Sequence, residues 1–265
     1  MRSNEFDGSI GVFDSGVGGI SVLGALVHEL PHEDFVYYGD SAHAPYGEKT
    51  PDEVRSLSLD VVSRMLGAGC KAIVIACNTA TSAAAEMLRT RYPDIPIIGL
   101  EPALKPAVLA TRHGRVLVMA TPMTVKLEKF QNLMGEWGGE ADVTTVACTG
   151  LAARIEQGNL DAPDLINLLR ELVGAHANKV DAAVLGCTHY PFVKSQIASV
   201  IGDVPFFDGA AGTARQLQRR LADKDLLSKS SEKGKIKLLS SKDSREELEL
   251  YQRFFDDACA CYEKC

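Results

Sequence analysis

Short apolar runs alternate along the chain with segments whose apolar residues recur at helical spacing. Residues 9–15, 72–77 and 182–187 are almost wholly apolar until each run ends. Such runs are typical of strands buried on both faces of a parallel sheet. Helical patterns follow them, for example over residues 20–30, so the alternation predicts an α/β fold with parallel sheets.

The pattern of strands and helices begins again near Arg115, where RVLVMA takes the place that IGVFD has at the start. We therefore expect two similar lobes, each a mostly parallel sheet flanked by helices, with the active site in the cleft between them. We assign residues 1–103 to the first lobe and residues 104–206 to the second. Residues 207–265 should return to the first lobe through an edge strand at 236–241 and a helix over 244–262.

Polar residues stand where the predicted strands end. Ligands of open α/β sheets bind outside the carboxyl ends of the strands, so these residues should converge. We expect Glu156 and the loop around Pro45 to join them. The residues at the strand ends and in this loop are Asp14, Ser15, Tyr46, Gly47, Cys77, Asn78, Thr79, Thr121, Cys187, Thr188, His189 and Asp208.

The composition is that of an ordinary soluble globular protein, with 46% hydrophobic and 24% charged residues among 265. A net charge of -7 offers no basic surface for nucleic acid, so a small molecule is the expected partner. No apolar run approaches the roughly 18 residues of a membrane span, and the first residues lack the apolar core of a signal peptide. We expect a cytoplasmic protein that binds neither nucleic acid nor membrane.

The seven cysteines form no Cys-x-x-Cys pair, which favours reduced thiols over disulfides or a metal site. Cys77 and Cys187 differ from the rest because each follows a buried strand. We expect a helix to begin there, and its dipole would favour a thiolate and lower the thiol pKa. We interpret the remaining cysteines as small buried apolar residues. They are Cys70, Cys148, Cys259, Cys261 and Cys265.

Several of these residues also have a simpler structural or chemical interpretation. Asp14 could simply cap the turn that follows it, and His189 could be a structural histidine. The turn GVGG partly matches a dinucleotide-binding loop, with Asp40 as the ribose ligand, but the third glycine would fall at Ser21. Acyl transfer by Cys187 with His189 would leave Cys77 without a role.

Two thiols on two similar lobes suit the inversion of a stereocentre. Inversion by deprotonation needs a base on one face of the carbon and an acid on the opposite face, with the roles exchanged for the mirror-image substrate. Each lobe would supply one of these groups. No cofactor or metal is needed for this chemistry, because a thiol can serve as both acid and base.

Four segments, GVFDSGVGG, YGDSAHAPYG, ACNTAT and LGCTHYP, resemble the signature blocks of the glutamate racemase family. They occur in the family's order between residues 10 and 208. The resemblance implies a cofactor-independent enzyme of the aspartate/glutamate racemase superfamily that interconverts L- and D-glutamate and supplies D-glutamate for peptidoglycan. The chain departs from the family pattern at His43-Ala44 and at FFDGAAGTA, where Asp-Ser is more usual.

The resemblance also assigns roles to residues. Cys77 and Cys187 would be the acid/base pair, assisted by Asp14, His189 and Glu156. We also expect a homodimer. Racemisation of aspartate or a hydantoin, or binding of an amino acid without turnover, remain alternatives. The expected substrate contacts are Asp14, Ser15, Tyr46, Gly47, Asn78, Thr79, Thr121, Thr188 and His189.

Overall fold

Two parallel sheets flanked by helices make up the computed structural model, which describes residues 4–112 and 114–263. The predicted fold class is confirmed. The strands are β1 (Ile10–Asp14), β2 (Phe35–Gly39), β3 (Ala72–Ile75), β4 (Ile97–Gly99), β5 (Arg115–Ala120), β6 (Asp142–Ala147), β7 (Ala182–Gly186), β8 (Phe206–Phe207) and β9 (Ile236–Ser240). The helices are α1 (Ile20–Glu29), α2 (Pro51–Gly67), α3 (Asn78–Arg91), α4 (Leu104–Thr111), α5 (Pro122–Lys126), α6 (Glu128–Trp137), α7 (Leu151–Ile155), α8 (Pro163–Val173), α9 (Lys194–Ile201), α10 (Ala210–Ala222) and α11 (Arg245–Glu263).

The first sheet has the strand order β4-β3-β1-β2-β9, and the second has the order β6-β5-β7-β8. Every pair of neighbouring strands is parallel. All residues of β1, β3 and β7 are buried, because helices cover both faces of the central strands. The carboxyl ends of these strands carry the polar residues that the sequence marks.

The start of α2 shows how local sequence sets an element boundary. The Thr50 hydroxyl accepts a hydrogen bond from the Glu53 backbone N–H, and the Glu53 carboxylate accepts one from the Thr50 N–H. Pro51 occupies the first turn, where no N–H is needed. The sequence Thr-Pro-x-Glu at residues 50–53 is typical of such a capping box.

The C-terminal segment contacts both lobes. Strand β9 pairs with β2, and α11 packs against α1 of the first lobe. Residues of α11 also contact the second lobe: the Phe254 ring lies 4.4 Å from that of Phe192, and Arg253 donates a hydrogen bond to the Gly158 carbonyl oxygen. Phe207 pairs with Val184 in the second sheet. We retain the division of the lobes at residues 103 and 206 as a proposal.

Two local features differ from the sequence-based expectations. The helix after β5 is broken at Leu127, whose extended backbone separates α5 from α6. Cys187 does not directly precede an α-helix, because residues 190–193 form a 3-10 turn and α9 begins only at Lys194. Pro191 explains the delay, because it lacks the N–H that would bond to the Cys187 carbonyl oxygen in an α-helix starting there; the Tyr190 N–H bonds to that oxygen instead.

The cysteines outside the two strand ends fall into different environments. Cys70 and Cys148 are buried, as the sequence suggests. Cys261 is exposed, so its interpretation as a buried apolar residue is wrong; it lies near the end of α11. Cys259 is half-buried, and Cys265 lies outside the described residues. Within those residues, no helix is long and apolar enough to cross a membrane.

Candidate active site

A small cavity of about 20 Å³ lies where the carboxyl ends of strands from both sheets meet. Ten of the twelve residues that the sequence marks as catalytic or substrate-binding line it. The other two, Asp14 and Glu156, lie behind Cys77 and His189. The lining residues are Ser15, Pro45, Tyr46, Gly47, Cys77, Asn78, Thr79, Thr121, Ala152, Cys187, Thr188 and His189.

Cys77 is the N-cap residue of α3, and its sulphur accepts a hydrogen bond from the Ala80 N–H at 3.5 Å. Its thiol points to the Ser15 hydroxyl at 3.9 Å. Burial raises the pKa of Cys77 well above its usual value, and the nearby Asp14 carboxylate raises it further. The expectation of a lowered pKa is therefore wrong for Cys77, because desolvation outweighs the helix terminus.

Asp14 is completely buried at the end of β1. Its Oδ2 atom accepts a hydrogen bond from the Gly19 N–H at 2.7 Å, so it does cap the turn before α1. Its Oδ1 atom has no partner among the described residues. Burial raises the pKa of Asp14, while the nearby His189 partly lowers it. Asp14 thus combines a structural hydrogen bond with a second oxygen placed beside Cys77.

Cys187 lies beside a buried ion pair. Its sulphur is 3.6 Å from Nδ1 of His189, and Nε2 of His189 is 2.6 Å from Oε1 of Glu156. Burial lowers the pKa of His189, but its hydrogen bonds with Cys187 and Glu156 outweigh burial and raise that pKa well above its usual value. Burial alone would raise the pKa of Glu156, but the hydrogen bond with His189 outweighs burial, so the pKa of Glu156 is lowered overall. We therefore treat the pair as imidazolium and carboxylate.

The GVGG turn brings the first lobe against this ion pair. A Cβ atom on Gly18 would lie 2.6 Å from the Thr188 hydroxyl and would also collide with the His189 ring. A Cβ atom on Gly16 would overlap the Glu156 carboxylate. Only glycine permits so close an approach. Glu156 and His189 therefore occupy the space against Gly16 and Gly18 in this turn.

Three threonine hydroxyls connect the two lobes at one side of the cavity. Thr79 lies 3.1 Å from Thr121 and 3.2 Å from Thr124, and the last two are 2.9 Å apart. Thr121 also caps α5 by accepting a hydrogen bond from the Thr124 N–H. Thr124 is not among the residues predicted from the sequence. The helix-start pattern Thr-Pro-x-Thr could have indicated that its side chain lies beside that of Thr121.

Tyr46 and Gly47 belong to the loop after β2. The Tyr46 hydroxyl donates a hydrogen bond of 2.6 Å to Asp40. From the sequence, the only role suggested for Asp40 is that of a ribose ligand in a dinucleotide-binding loop. A Cβ atom on Gly47 would lie 2.9 Å from the Cβ of Thr121, so the loop touches the second lobe here. Asp40 therefore supports the loop that closes one side of the cavity.

The chemical character of the site follows from these contacts. Two thiols from different lobes share one cavity, and each has its own polar partner. Of the described residues lining the cavity, none is a lysine or arginine, and hydroxyl and amide groups supply most of the hydrogen-bonding capacity. No three His, Cys, Asp or Glu side chains in the described ranges are placed to hold a metal ion. The arrangement can give and accept protons from two directions.

Comparisons with known proteins agree with this picture. The family model described as Asp/Glu/Hydantoin racemase matches residues 10–217. The glutamate racemase of Clostridium perfringens is 48% identical over 258 residues, which is 97% of this chain and 99% of that protein.

Two solved structures are similar over nearly the whole chain. The glutamate racemase of Francisella tularensis in complex with D-glutamate has a TM-score of 0.82 at 27% identity, covering 95% of this chain and 94% of that one. A glutamate racemase isoform of Bacillus anthracis has a TM-score of 0.84 at 29% identity, covering 95% of both chains.

Proposed function

Because this chain belongs to the Asp/Glu/hydantoin racemase family, we propose that it interconverts L-glutamate and D-glutamate without a cofactor. The observation that carries the proposal is that Cys77 and Cys187 reach one cavity from different lobes. The substrate assignment is supported by the similarity to named glutamate racemases over nearly the full length.

Inversion proceeds in two proton transfers. With L-glutamate bound, the Cys187 thiolate removes the proton from Cα, and the bonding electrons stay on the carbon. The Cys77 thiol then gives its proton to the opposite face, so Cys187 ends as a thiol and Cys77 as a thiolate. D-glutamate reacts in the reverse sense, with Cys77 as the base. This assignment of each cysteine to one enantiomer follows the family resemblance.

The surroundings of the two thiols suit these roles. The His189 imidazolium beside Cys187 stabilises a thiolate there, and Glu156 holds the ring in place. On the other side, burial and the Asp14 charge keep Cys77 protonated, which suits the acid of the L-to-D reaction. For the reverse reaction Cys77 must be the thiolate, and the hydrogen bond that its sulphur accepts from the Ala80 N–H favours that form.

The size of the cavity implies that the cleft must open. A volume of about 20 Å³ is room for roughly one water molecule, so glutamate enters only if the lobes or the Tyr46 loop move apart. Closure around the substrate would then exclude water and strengthen the interactions that stabilise the carbanion. Hydroxyl, amide and backbone N–H groups at the strand ends would bind the two substrate carboxylates.

The biological setting is part of the same proposal. On the family resemblance, the D-glutamate would be used for peptidoglycan, and growth of a strain lacking the gene should be restored by added D-glutamate. A cytoplasmic location and a homodimer stay predictions. Sedimentation analysis of the purified protein would measure the oligomeric state directly.

The direct test is circular dichroism of L-glutamate incubated with pure protein after dialysis against a chelator. The signal should decay to zero, and D-glutamate should approach zero from the opposite sign. L-aspartate and a chiral hydantoin serve as alternative substrates. Decay with one of these and not with glutamate would overturn the substrate assignment, and no decay with any of them would favour a binding protein.

A further inference from the structure

Tyr190 carries a buried hydroxyl that has no part in the two proton transfers described above. The residue is completely buried, and its hydroxyl oxygen has no regular hydrogen-bond partner among the described residues. Tyr190, Cys148 and Cys187 belong to one buried cluster, and the hydroxyl interacts with both cysteine side chains without meeting the geometry of a regular hydrogen bond. A buried hydroxyl without a partner destabilises the folded state, so this one calls for an explanation in terms of function.

We propose that Tyr190 is a positioning residue for Cys187. The Tyr190 O–H group donates a hydrogen bond to the Cys187 sulphur when that sulphur is a thiolate. The inference rests on the proposed two-thiol reaction, in which Cys187 must become charged to act as the base. Tyr190 would then assist the reaction of L-glutamate and not the deprotonation of D-glutamate by Cys77.

The local backbone places the two side chains together. The Tyr190 N–H donates a hydrogen bond of 3.1 Å to the Cys187 carbonyl oxygen, which closes a tight turn directly after β7. Tyr190 is the first residue of the 3-10 turn at residues 190–193, and Pro191, the second, limits the backbone freedom of Tyr190. The turn that carries Cys187 therefore also fixes the backbone of Tyr190, and the two residues lie in the same buried cluster.

The protonation state of the sulphur decides whether the hydrogen bond is strong. A neutral thiol is a weak acceptor, whereas a thiolate receives a charge-assisted hydrogen bond. The hydroxyl thus lacks a good partner in the resting state and gains one when Cys187 loses its proton. An interaction that strengthens as charge develops stabilises the reactive form selectively.

Cys148 is the competing partner for the hydroxyl. It follows β6, on the far side of β5 from Cys187, and burial raises its pKa to about 12. It therefore remains a neutral thiol near neutral pH and is the poorer acceptor. The titratable groups around Cys187 include His189 and Tyr190 in its own loop, Glu156 behind His189, Cys148 after β6, Cys77 across the cavity, and Asp208, which lines a neighbouring small cavity with Cys187.

The test measures proton abstraction by each cysteine separately, using a substrate whose reaction is irreversible. In 3-chloroglutamate, removal of the Cα proton forms a Cα=Cβ double bond and expels chloride from Cβ. Water then hydrolyses the resulting enamine, by way of its imine, to 2-oxoglutarate and ammonium. Only the first proton abstraction involves the enzyme, so one enantiomer reports on Cys187 and the other on Cys77. Racemisation itself cannot separate them, because its equilibrium constant of unity forces equal kcat/KM in the two directions.

Tyr190→Phe should lower kcat/KM for elimination from the L-enantiomer by about tenfold, the effect of one hydrogen bond to a charged group. Elimination from the D-enantiomer should be unchanged. Cys148→Ala is the matched control and should retain the wild-type ratio of the two enantiomers, because it removes the competing sulphur only. The unfolding temperature of Tyr190→Phe should not fall, since the variant removes an unpaired buried hydroxyl.

A second measurement is independent of turnover. Iodoacetamide alkylation of each cysteine is followed by peptide mass spectrometry in wild type and in Tyr190→Phe. Near neutral pH, the rate at Cys187 should be about tenfold lower in Tyr190→Phe than in wild type, and the rate at Cys77 in the same sample should be unchanged. Equal losses for both enantiomers, or no loss at all, would overturn the role of Tyr190. If the wild-type protein neither racemises glutamate nor eliminates chloride, the proposed function fails, and the alkylation rates still decide whether Tyr190 stabilises the thiolate.

Discussion

Replacing Glu156 with glutamine tests whether the His189–Glu156 pair is charged. The single atom Oε1 accepts both the His189 and the Val17 hydrogen bonds, so the amide oxygen of glutamine can preserve both. The substitution therefore removes the negative charge with little change in shape. Any large effect on stability then reports the electrostatic part of the interaction.

The expected magnitude follows from the distance between the charges. The closest atoms are 2.6 Å apart and the side chains are 4% and 16% exposed, so the charge centres lie about 4 Å apart in a mostly desolvated site. At an effective dielectric constant of about 20, the attraction is about 4 kcal/mol. Loss of the Glu156 desolvation penalty offsets part of this, so the variant should be destabilised by about 2–4 kcal/mol.

The pH dependence has a defined sign. The raised pKa of His189 contributes stability that is fully present below the unfolded value of 6.5 and is lost as pH rises through the folded value. The lowered pKa of Glu156 contributes stability that is present above the unfolded value of 4.5 and is lost as pH falls. The difference between wild type and variant should therefore be largest between these two values and should shrink at high pH.

Urea unfolding followed by circular dichroism, repeated across this pH range, measures the difference. Glu249→Gln is the matched control, because Glu249 pairs with Arg245 on the exposed face of α11, with 63% and 88% of the side chains exposed. That variant should change stability by less than about 0.5 kcal/mol. A loss in Glu156→Gln that is constant with pH, or no larger than that of the control, would refute the charged pair.

Three further substitutions probe other parts of the structure. Thr50→Ala removes the capping box of α2 and should lower the free energy of unfolding by about 1 kcal/mol in urea titrations, without changing the racemisation rate; a loss of activity would contradict its purely structural role. Gly18→Ala places a methyl group against the His189 ring, so we expect kcat for racemisation to fall about a hundredfold in the circular dichroism assay. Near-normal kcat would show that the close approach is not needed. Thr124→Val removes one hydroxyl from the threonine cluster and should raise KM for glutamate about tenfold, while Thr124→Ser should restore it. Equal KM values in the two variants would exclude a role for the hydroxyl.

Much of the fold could be predicted because burial leaves a clear pattern in the sequence. Strands β3 and β7 are short, continuous apolar runs, and only a strand covered on both faces requires such a run. The start of α2 was predictable from local chemistry, since Thr50, Pro51 and Glu53 suffice to form the capping box. The onset of α9 was not, because it depends on how Pro191 shapes a turn several residues earlier.

The membership of the site could also be predicted, but its interactions could not. The strand-end rule brings Cys77 and Cys187 together without knowledge of the side-chain packing. The raised pKa of Cys77 depends on burial and on the position of Asp14, which a pattern of residue types does not report. Thr124 and Tyr190 could not be predicted from the sequence, because threonine and tyrosine are common in cores and only their contacts distinguish these two.

The most direct test of the two-base reaction is solvent labelling during the first turnovers. L-glutamate is incubated with the protein in deuterated water, and both enantiomers are separated and analysed for deuterium at Cα before equilibrium is approached. If Cys187 removes the proton and Cys77 delivers another from the opposite face, deuterium should enter D-glutamate and be nearly absent from the recovered L-glutamate. Deuterium in both enantiomers at equal early rates would show that a single base serves both faces, and would contradict the assignment of one cysteine to each.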